Sequence, residues 1–381
     1  MNIVWPLTIL VVIVVAILLA RQAPRLAFLF RWLPVPLWCY AVPMAASSAG
    51  WLTPSHPAWR LITALLLPLA LALLLLGVDL GALRRTGGRL LASAAAGAAG
   101  VILGAPLGVW LLRGALPPEA WKGAGALAAT WTGGTMNMLA ARALLDVPNA
   151  VFAPLVVVDA LTAYGWMALL VAASGFQGSF NRWLHAEGGD RARQASPAPG
   201  RTSHRSRLAG AAIAGLIAAS GLRLAGRLPA SGWISSANGW AVLLVSTAAL
   251  ALSAWPAVRR AGEAAAELGY PCLYLVLAAT GAQANPEALW KTPAWLMVGA
   301  VTVLVHAALL LAAGRLLKVP LGPLATASQA NIGGVVSAPL VGAVYDRSLA
   351  PAGLILALAG NALGTYFGWA AAALARWLSA R

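Results

Sequence analysis

Long apolar segments separated by short polar breaks run along the whole chain. They cover 3–20, 33–50, 61–80, 90–112, 121–145 and 150–174, then 208–228, 240–258, 268–284, 294–317, 321–345 and 349–378. A helix of about 18 or more apolar residues crosses roughly 30 Å of hydrocarbon, and runs of that kind recur here from end to end. The stretch between the two sets, 175–207, is polar, carries six arginines and includes SPAPGRTS. Such a composition buries too little apolar surface to fold and reads as a flexible cytoplasmic linker. The pattern therefore predicts an all-α polytopic membrane protein of roughly 11 to 13 transmembrane helices. It divides into an N-terminal half, 1–174, the linker, and a C-terminal half, 208–381.

The halves resemble each other where they are irregular. In 121–145 the apolar run is interrupted by TWTGGTMN, Thr130 to Asn137, and in 321–345 by SQANIGG, Ser328 to Gly334. A polar residue then stands inside the next segment, Asp159 in one half and Asn361 in the other, 25 residues after Gly134 and 27 after Gly334. Upstream, LLLLGVDLGALRR (73–85) and LVLAATGAQANPEAL (275–289) occupy corresponding places. Matching irregularities imply an internal repeat. Arginine-rich loops at 84–89, 182–207, 259–260 and 315–318 favour an inverted one, because each belongs on the cytoplasmic side. Simple alternation cannot place the first two together, so one segment is re-entrant or conceals two passes.

Composition removes the soluble classes. The 381 residues are 61% apolar and 9% charged, with mean hydropathy +0.80, whereas soluble domains carry about 25% charged residues. The net charge of +16 belongs to arginines in short loops held at the cytoplasmic face, not to a nucleic-acid surface. The seventeen tryptophans mostly lie near segment ends, as interfacial anchors do. Cys39 and Cys272 sit in apolar stretches without metal-ligand spacing and read as packing residues. The first segment lacks the early positive charge of a signal peptide and is followed by Arg21, Arg25 and Arg31, so it reads as the first span.

The candidate chemistry lies in the interruptions. Within hydrocarbon an unwound helix is tolerated only where it faces protein or a wet cavity. A half-helix beginning there offers free N–H groups and partial positive charge to an anion, and the preceding carbonyl end suits a cation. Thr130, Thr132, Gly133, Gly134, Thr135 and Asn137 in the first break, with Ser328, Gln329, Asn331, Gly333 and Gly334 in the second, are the candidate solute-binding residues. The alternative is that each Gly-Gly pair simply allows close helix packing. Asp159 is a candidate for ion coupling, by protonation or by binding Na⁺, because a carboxylate in a span is costly unless paired, protonated or hydrated. Asn361 is its neutral counterpart. Asp79 reads as an interfacial carboxylate beside Arg84 and Arg85. His306 reads as a helix-to-helix hydrogen bond or a proton relay, and Arg142 as a counter-charge for an anion or a snorkelling cation. No Walker A loop, metal cluster or GxSxG motif is present, so the chain is not expected to be an enzyme, and no cofactor is expected beyond Na⁺ or H⁺.

The combination of ATWTGGTMNMLA followed by VVVDALTAYGWM, and of SQANIGGVVSAPLVGA followed by LALAGNALGTYFGW, resembles the domain-of-unknown-function 819 family, the YjcL-like membrane proteins. The resemblance covers most of the chain. That family resembles more distantly the superfamily of cation:proton antiporters and bile-acid:sodium symporters. The resemblance implies two inverted five-helix repeats, crossing broken helices at 132–137 and 331–334, a core and a scaffold, elevator movement, and Asp159 on the ion-binding helix. Val335 departs from the proline expected after the second Gly-Gly, and Arg142 is a further departure, both bearing on substrate choice. The function expected is a secondary transporter of a small organic anion, amino acid or short peptide coupled to Na⁺ or H⁺. An Na⁺/H⁺ antiporter without organic substrate and a non-transporting sensor or assembly module stand as the alternatives. The expected setting is a bacterial inner membrane, with lipid and a small solute or ion as partners, no nucleic acid, and a homodimer by analogy.

Overall fold

The structure is a computed structural model that describes residues 4–26, 29–32, 35–79, 81, 87–186, 203–229, 236–284 and 292–380. Among these residues the regular structure is helical. In chain order the α-helices are α1 Val4–Gln22, α2 Leu29–Trp32, α3 Val35–Ser48, α4 Ala58–Leu75, α5 Gly88–Leu111, α6 Ala120–Leu145, α7 Asn149–Ala173 and α8 Gln177–Trp183. They continue with α9 His204–Ala225, α10 Ala237–Ser253, α11 Pro256–Ala265, α12 Gly269–Ala282, α13 Thr292–Leu317, α14 Leu321–Ile332, α15 Ser337–Tyr345 and α16 Ala350–Ser379. Eight helical stretches among the described residues are long and apolar enough to cross a membrane. The chain is a multi-pass membrane protein. Helix α6 is long enough but is not among the eight, because its Thr and Gly residues dilute its hydropathy. Helices α14 and α15, with 12 and 9 residues, are each too short. Helix α6 and the α14–α15 pair are the two interrupted segments, and α3 and α10, with 14 and 17 residues, are also shorter than a full span.

The chain forms two compact units, each drawn from both halves. The first comprises 1–77, 142–160 and 202–293, the second 78–141, 161–201 and 294–381. In the first unit α12 packs on α3 and α4, while α10 and α11 pack on α9. Small residues set these approaches: Gly281 lies against the carbonyl of Tyr40, and Gly210 against that of Ala261. Without hydrophobic drive between helices in lipid, backbone proximity of this kind supplies the packing attraction. Ser47 adds a hydrogen bond to the carbonyl of Ala282 at 2.7 Å. Helices α9 and α10 begin at serine caps, Ser203 accepting from Ser206 N–H and Ser236 from Gly239 N–H, each at 3.1 Å.

Arg142 belongs to the first unit. Its guanidinium donates to Thr280 Oγ1 at 2.6 Å and to Asn149 Oδ1, and lies 4.7 Å from the centre of the Phe152 ring. Asn149 donates in turn to the carbonyl of Gln283 at 3.0 Å. The planar fork of arginine suits two such acceptors at once, and the cluster ties the α6–α7 corner to the end of α12.

In the second unit α5 presents Gly97, Gly100, Gly104 and Gly108 to α13. A Cβ on Gly100 would stand 2.5 Å from the Cα of His306, one on Gly104 2.8 Å from that of Thr302, and one on Gly108 3.0 Å from the carbonyl oxygen of Val298. Helix α16 uses Gly364 and Gly368 in the same way against the carbonyls of Ala129 and Gly125 in α6, at 2.9 and 2.6 Å.

The segment expected to be an unfolded linker is structured at its start. A 3₁₀ turn at Ser174–Phe176 leads into α8, Leu184 is buried, and Asn181 Oδ1 accepts the N–H of Leu321 at 2.8 Å. Arg315 binds the carbonyl of Trp183 and stacks on its ring. Phe180, Leu184 and Ala186 pack into the buried cluster that holds Leu321 and Leu324, and α8 thereby caps the start of α14. Residues 187–202 of that expected linker lie outside the described residues.

Candidate functional site

Both Gly-Gly pairs break their helices, and both lie in the second unit. Helix α6 leaves helical geometry at Gly134, with φ 76° and ψ 177°, a region essentially restricted to glycine. Helix α14 ends at Ile332, Gly334 takes φ 80°, and α15 starts at Ser337. The two glycines of each pair have different tasks. Gly133 is required by space, since a Cβ there would stand 2.7 Å from the carbonyl oxygen of Gly360. A Cβ on Gly333 would stand 2.7 Å from Cδ of Gln329, so the Gln329 side chain would have to move to admit one. Gly134 and Gly334 are required by backbone conformation. Close packing and helix breaking are thus both present, one per glycine.

At the first break Thr130, Thr132 and Asn137 are buried, and Thr132 donates to the carbonyl of Ala128 at 2.7 Å. Asn137 is fully engaged. Its Nδ2 donates to the carbonyls of Gly133 at 2.6 Å and Asn361 at 3.0 Å, and its Oδ1 accepts from Thr365 N–H at 2.8 Å and Thr365 Oγ1 at 2.6 Å. The carbonyl of residue 361 and the N–H of residue 365 are the pair that closes an α-helical hydrogen bond. The Asn137 amide bonds both members of that pair and so ties α6 to the backbone of α16. Asn361 itself is half-buried, with Oδ1 3.6 Å from where a Cβ on Gly134 would stand. Thr135 is half-buried as well. The side chains of Thr135 and Asn361 are therefore the groups at this break whose capacity is open, while Thr132 and Asn137 are committed to bonds within the protein.

At the second break Ser328 and Gln329 are completely buried and Asn331 nearly so. Asn331 Nδ2 donates to the carbonyl of Ala94 at 3.0 Å. Ser328 lies in a directed chain. The Gly97 carbonyl can only accept, so His306 Nδ1, 2.8 Å from it, carries the proton. His306 Nε2 then accepts from Ser328 Oγ at 2.8 Å, and Ser328 Oγ accepts from Trp166 Nε1 at 2.8 Å. His306 is thus a buried helix-to-helix bridge joining α5, α13 and α14, with Trp166 of α7 at its end. The N–H groups of Gly333 and Gly334 both return to the carbonyl of Gln329, at 2.8 and 3.0 Å. Gln329 Nε2 donates to Ser337 Oγ at 2.9 Å, and its Oε1 is buried without a partner. Beyond α15, Asp346 accepts Ser348 N–H at 2.8 Å, which holds its carboxyl below the usual range.

Asp159 lies half-buried in the middle of α7, within the first unit's share of that helix, which ends at Ala160. Asp79 is half-buried just after α4, and Arg84 and Arg85 lie outside the described residues. Sequence reasoning did not single out Thr365, Trp166, Gly97 or Ser337, which complete these networks. The four-residue spacing of Gly360, Gly364 and Gly368 is the one signal that points to the α16 contact.

A profile of the family described as Protein of unknown function (DUF819) matches residues 8–380. The chain belongs to the DUF819 family. Among curated proteins none matches it. In this DUF819 protein both breaks, with Asn361, are built into one compact unit, and among the described groups at the breaks Gln329 Oε1 is buried without a partner while the side chains of Thr135 and Asn361 are half-buried.

Proposed function

We propose that this DUF819 protein is a secondary active transporter that moves a small polar metabolite, an organic anion, amino acid or short peptide, coupled to Na⁺ or H⁺. The observation that carries the reading is the pair of helices broken at left-handed glycines within one unit. Interrupted helices in membrane proteins are tolerated where they line a cavity, and half-helix ends there bind ions and charged solutes. The half-helix after Gly134 would receive an anionic group on its N–H end, with Thr135 and Asn361 to orient it. Asp159 would couple the solute to the ion by binding Na⁺ or exchanging a proton. The matching position of the two Gly-Gly breaks supports an inverted repeat. The unit carrying both breaks would then act as the moving core of an elevator.

The test is ligand-induced stabilisation of the purified protein. Amino acids, carboxylates and short peptides are screened by thermal shift with and without Na⁺ at two pH values. A solute that stabilises only with Na⁺ or only at low pH, and not in Asp159→Asn, is the expected result. Stabilisation by Na⁺ with no effect of any solute would favour the antiporter, and a folded sample indifferent to every solute and ion would refute the carrier.

A further inference from the structure

We infer that α14 and α15 form a re-entrant hairpin that opens on the face of α8, and that its α15 arm is a hinged flap, latched by Tyr345, over the second break. The inference goes beyond the carrier reading, and its test needs no solute.

A helix that crossed the membrane through a break would carry its two ends far apart. The 12 residues of α14 and the 9 of α15, laid end to end, would span roughly 30 Å. Here the ends meet. A Cβ on Gly322, in the first turn of α14, would stand 3.0 Å from Cβ of Tyr345, the last residue of α15. Further along the arms a Cβ on Gly342 would stand 3.2 Å from Thr326 Oγ1, and beside the break Gln329 bonds Ser337. Rising positions on one arm thus meet falling positions on the other. This is an antiparallel pair, in place of the crossing helix expected at 331–334.

Both open ends lie with α8 and the end of α7. Asn181 holds the N–H of Leu321, and Tyr345 donates to the carbonyl of Leu170 at 2.6 Å. Arg182, Arg315 and Lys318 assign this face to the cytoplasm. Helix α16 serves as a ruler for the two breaks. Its Gly353 meets Ala338 of the hairpin, whereas Gly360, Gly364 and Gly368 meet Thr132, Ala129 and Gly125 of α6, and Arg376 stacks on Trp121. The first break is therefore approached from the opposite end of α16.

The two arms are held differently. In α14 every residue but Pro323 is buried, and Ser328 and Asn331 bind His306 and the carbonyl of Ala94. In α15 the buried residues are Ala338, Val341 and Gly342, and the small ones leave little side chain to interlock. Val336, Leu340 and Val344, four residues apart, are 74%, 59% and 49% exposed. Among the described residues, the side-chain hydrogen bonds from α15 to other helices are one at each end, Ser337 with Gln329 and Tyr345 with Leu170. A segment with so few buried contacts belongs to the low-stability part of a fold. Its ends are also hinge positions, Gly334 with φ 80° and Asp346 extended at φ −158°, ψ 128°. Terminal residues of this kind absorb the backbone change when a segment swings. Tyr345 closes the end of the arm at the membrane face, so its hydroxyl is the latch.

The experiment labels single cysteines in the full-length protein with a membrane-impermeant maleimide, in right-side-out and inverted vesicles, on a Cys39→Ala/Cys272→Ala background. Lys318→Cys and Asp346→Cys, both at exposed positions, should react from the same face as Arg182→Cys. Reaction of the two from opposite faces would overturn the hairpin. Ser337→Cys, on the flap, should react slowly and from that face alone. Adding Tyr345→Phe should speed it about fivefold to tenfold, the loss of one hydrogen bond. The same pairing with Ser328→Cys, on the fixed arm, should change its rate by less than about twofold. An unchanged rate at Ser337→Cys, equal acceleration on both arms, or reaction from the opposite face would overturn the flap. If Ser337→Cys does not fold, Ala338→Cys, buried under the same arm, is judged by the same outcomes.

Discussion

Replacing Asn137 by alanine removes four hydrogen bonds, one within α6 to the carbonyl of Gly133 and three that join the first break to α16. Polar bonds between membrane helices average about 0.6 kcal/mol and those in soluble proteins about 1 kcal/mol. The carbonyl of Asn361 and the N–H of Thr365 lie four residues apart, at the spacing of an α-helical hydrogen bond, so α16 itself can satisfy them and the loss falls below the full sum. The small cavity left by the side chain works the other way. The expected cost is therefore about 2–3 kcal/mol. The assay is reversible unfolding of the purified protein in mixed micelles with increasing sodium dodecyl sulfate. Two companions sharpen it. Thr365→Val removes one of the four bonds and should cost about 1 kcal/mol. Asn137→Asp keeps the acceptor but sets a carboxylate against two carbonyls, so it should cost more than alanine. In the double variant Asn137→Ala/Thr365→Val the effects should be less than additive. An Asn137→Ala protein within about 0.5 kcal/mol of wild type would refute the bracket as a stabilising device.

Gly134→Ala and Gly334→Ala should each cost about 1–2 kcal/mol from the left-handed backbone alone, and Gly133→Ala more because of the Gly360 carbonyl; unfolding in the same micelles ranks the three. His306→Leu strands the Gly97 carbonyl and the Ser328 hydroxyl in a buried site and should cost about 2–3 kcal/mol, with His306→Gln milder because an amide can replace one bond, as the same measurement would record. Arg142→Lys loses the fork to Thr280 and Asn149 and the contact with Phe152, so stability should fall by about 2 kcal/mol. Solute-induced stabilisation, measured on the same sample, should persist, because Arg142 is engaged within the protein.

The helices were largely legible in the sequence because membrane spans announce themselves by length and hydropathy. The apolar segments from 3–20 to 349–378 correspond to α1, α3–α7, α9, α10, α12, α13, the α14–α15 pair and α16. The breaks were legible as well, because glycine is the residue that tolerates positive φ and the pairs stand amid polar neighbours. The division of labour within each pair was not, since it depends on which carbonyl or amide lies opposite. Asn137 and Ser328 were read as solute ligands from their place in polar motifs. Their partners, Thr365 and His306, lie 228 and 22 residues away, and no local pattern reveals that both side chains are already occupied. Helix α8 was hidden for a related reason: its sequence is polar on average, and only contact with α14 and Arg315 makes it a helix. Helix α11 was obscured by its polar face, which placed it between two apolar segments. The two units, interleaved along the chain, could not be inferred from a division into halves, because α6 and α7 each pass from one unit into the other.

If the two breaks serve a cation-coupled carrier, the purified protein reconstituted into liposomes should carry out concentrative, gradient-driven uptake. Vesicles holding the purified protein would be given a labelled pool of amino acids, carboxylates and short peptides under an inward Na⁺ gradient, an inward proton gradient, or neither. At least one solute should accumulate above its external concentration under a gradient, with the accumulation abolished when the gradient is collapsed and absent from Gly134→Ala/Gly334→Ala. Uptake that only equilibrates, or no uptake with folded protein in the membrane under either gradient, would contradict the cation-coupled carrier.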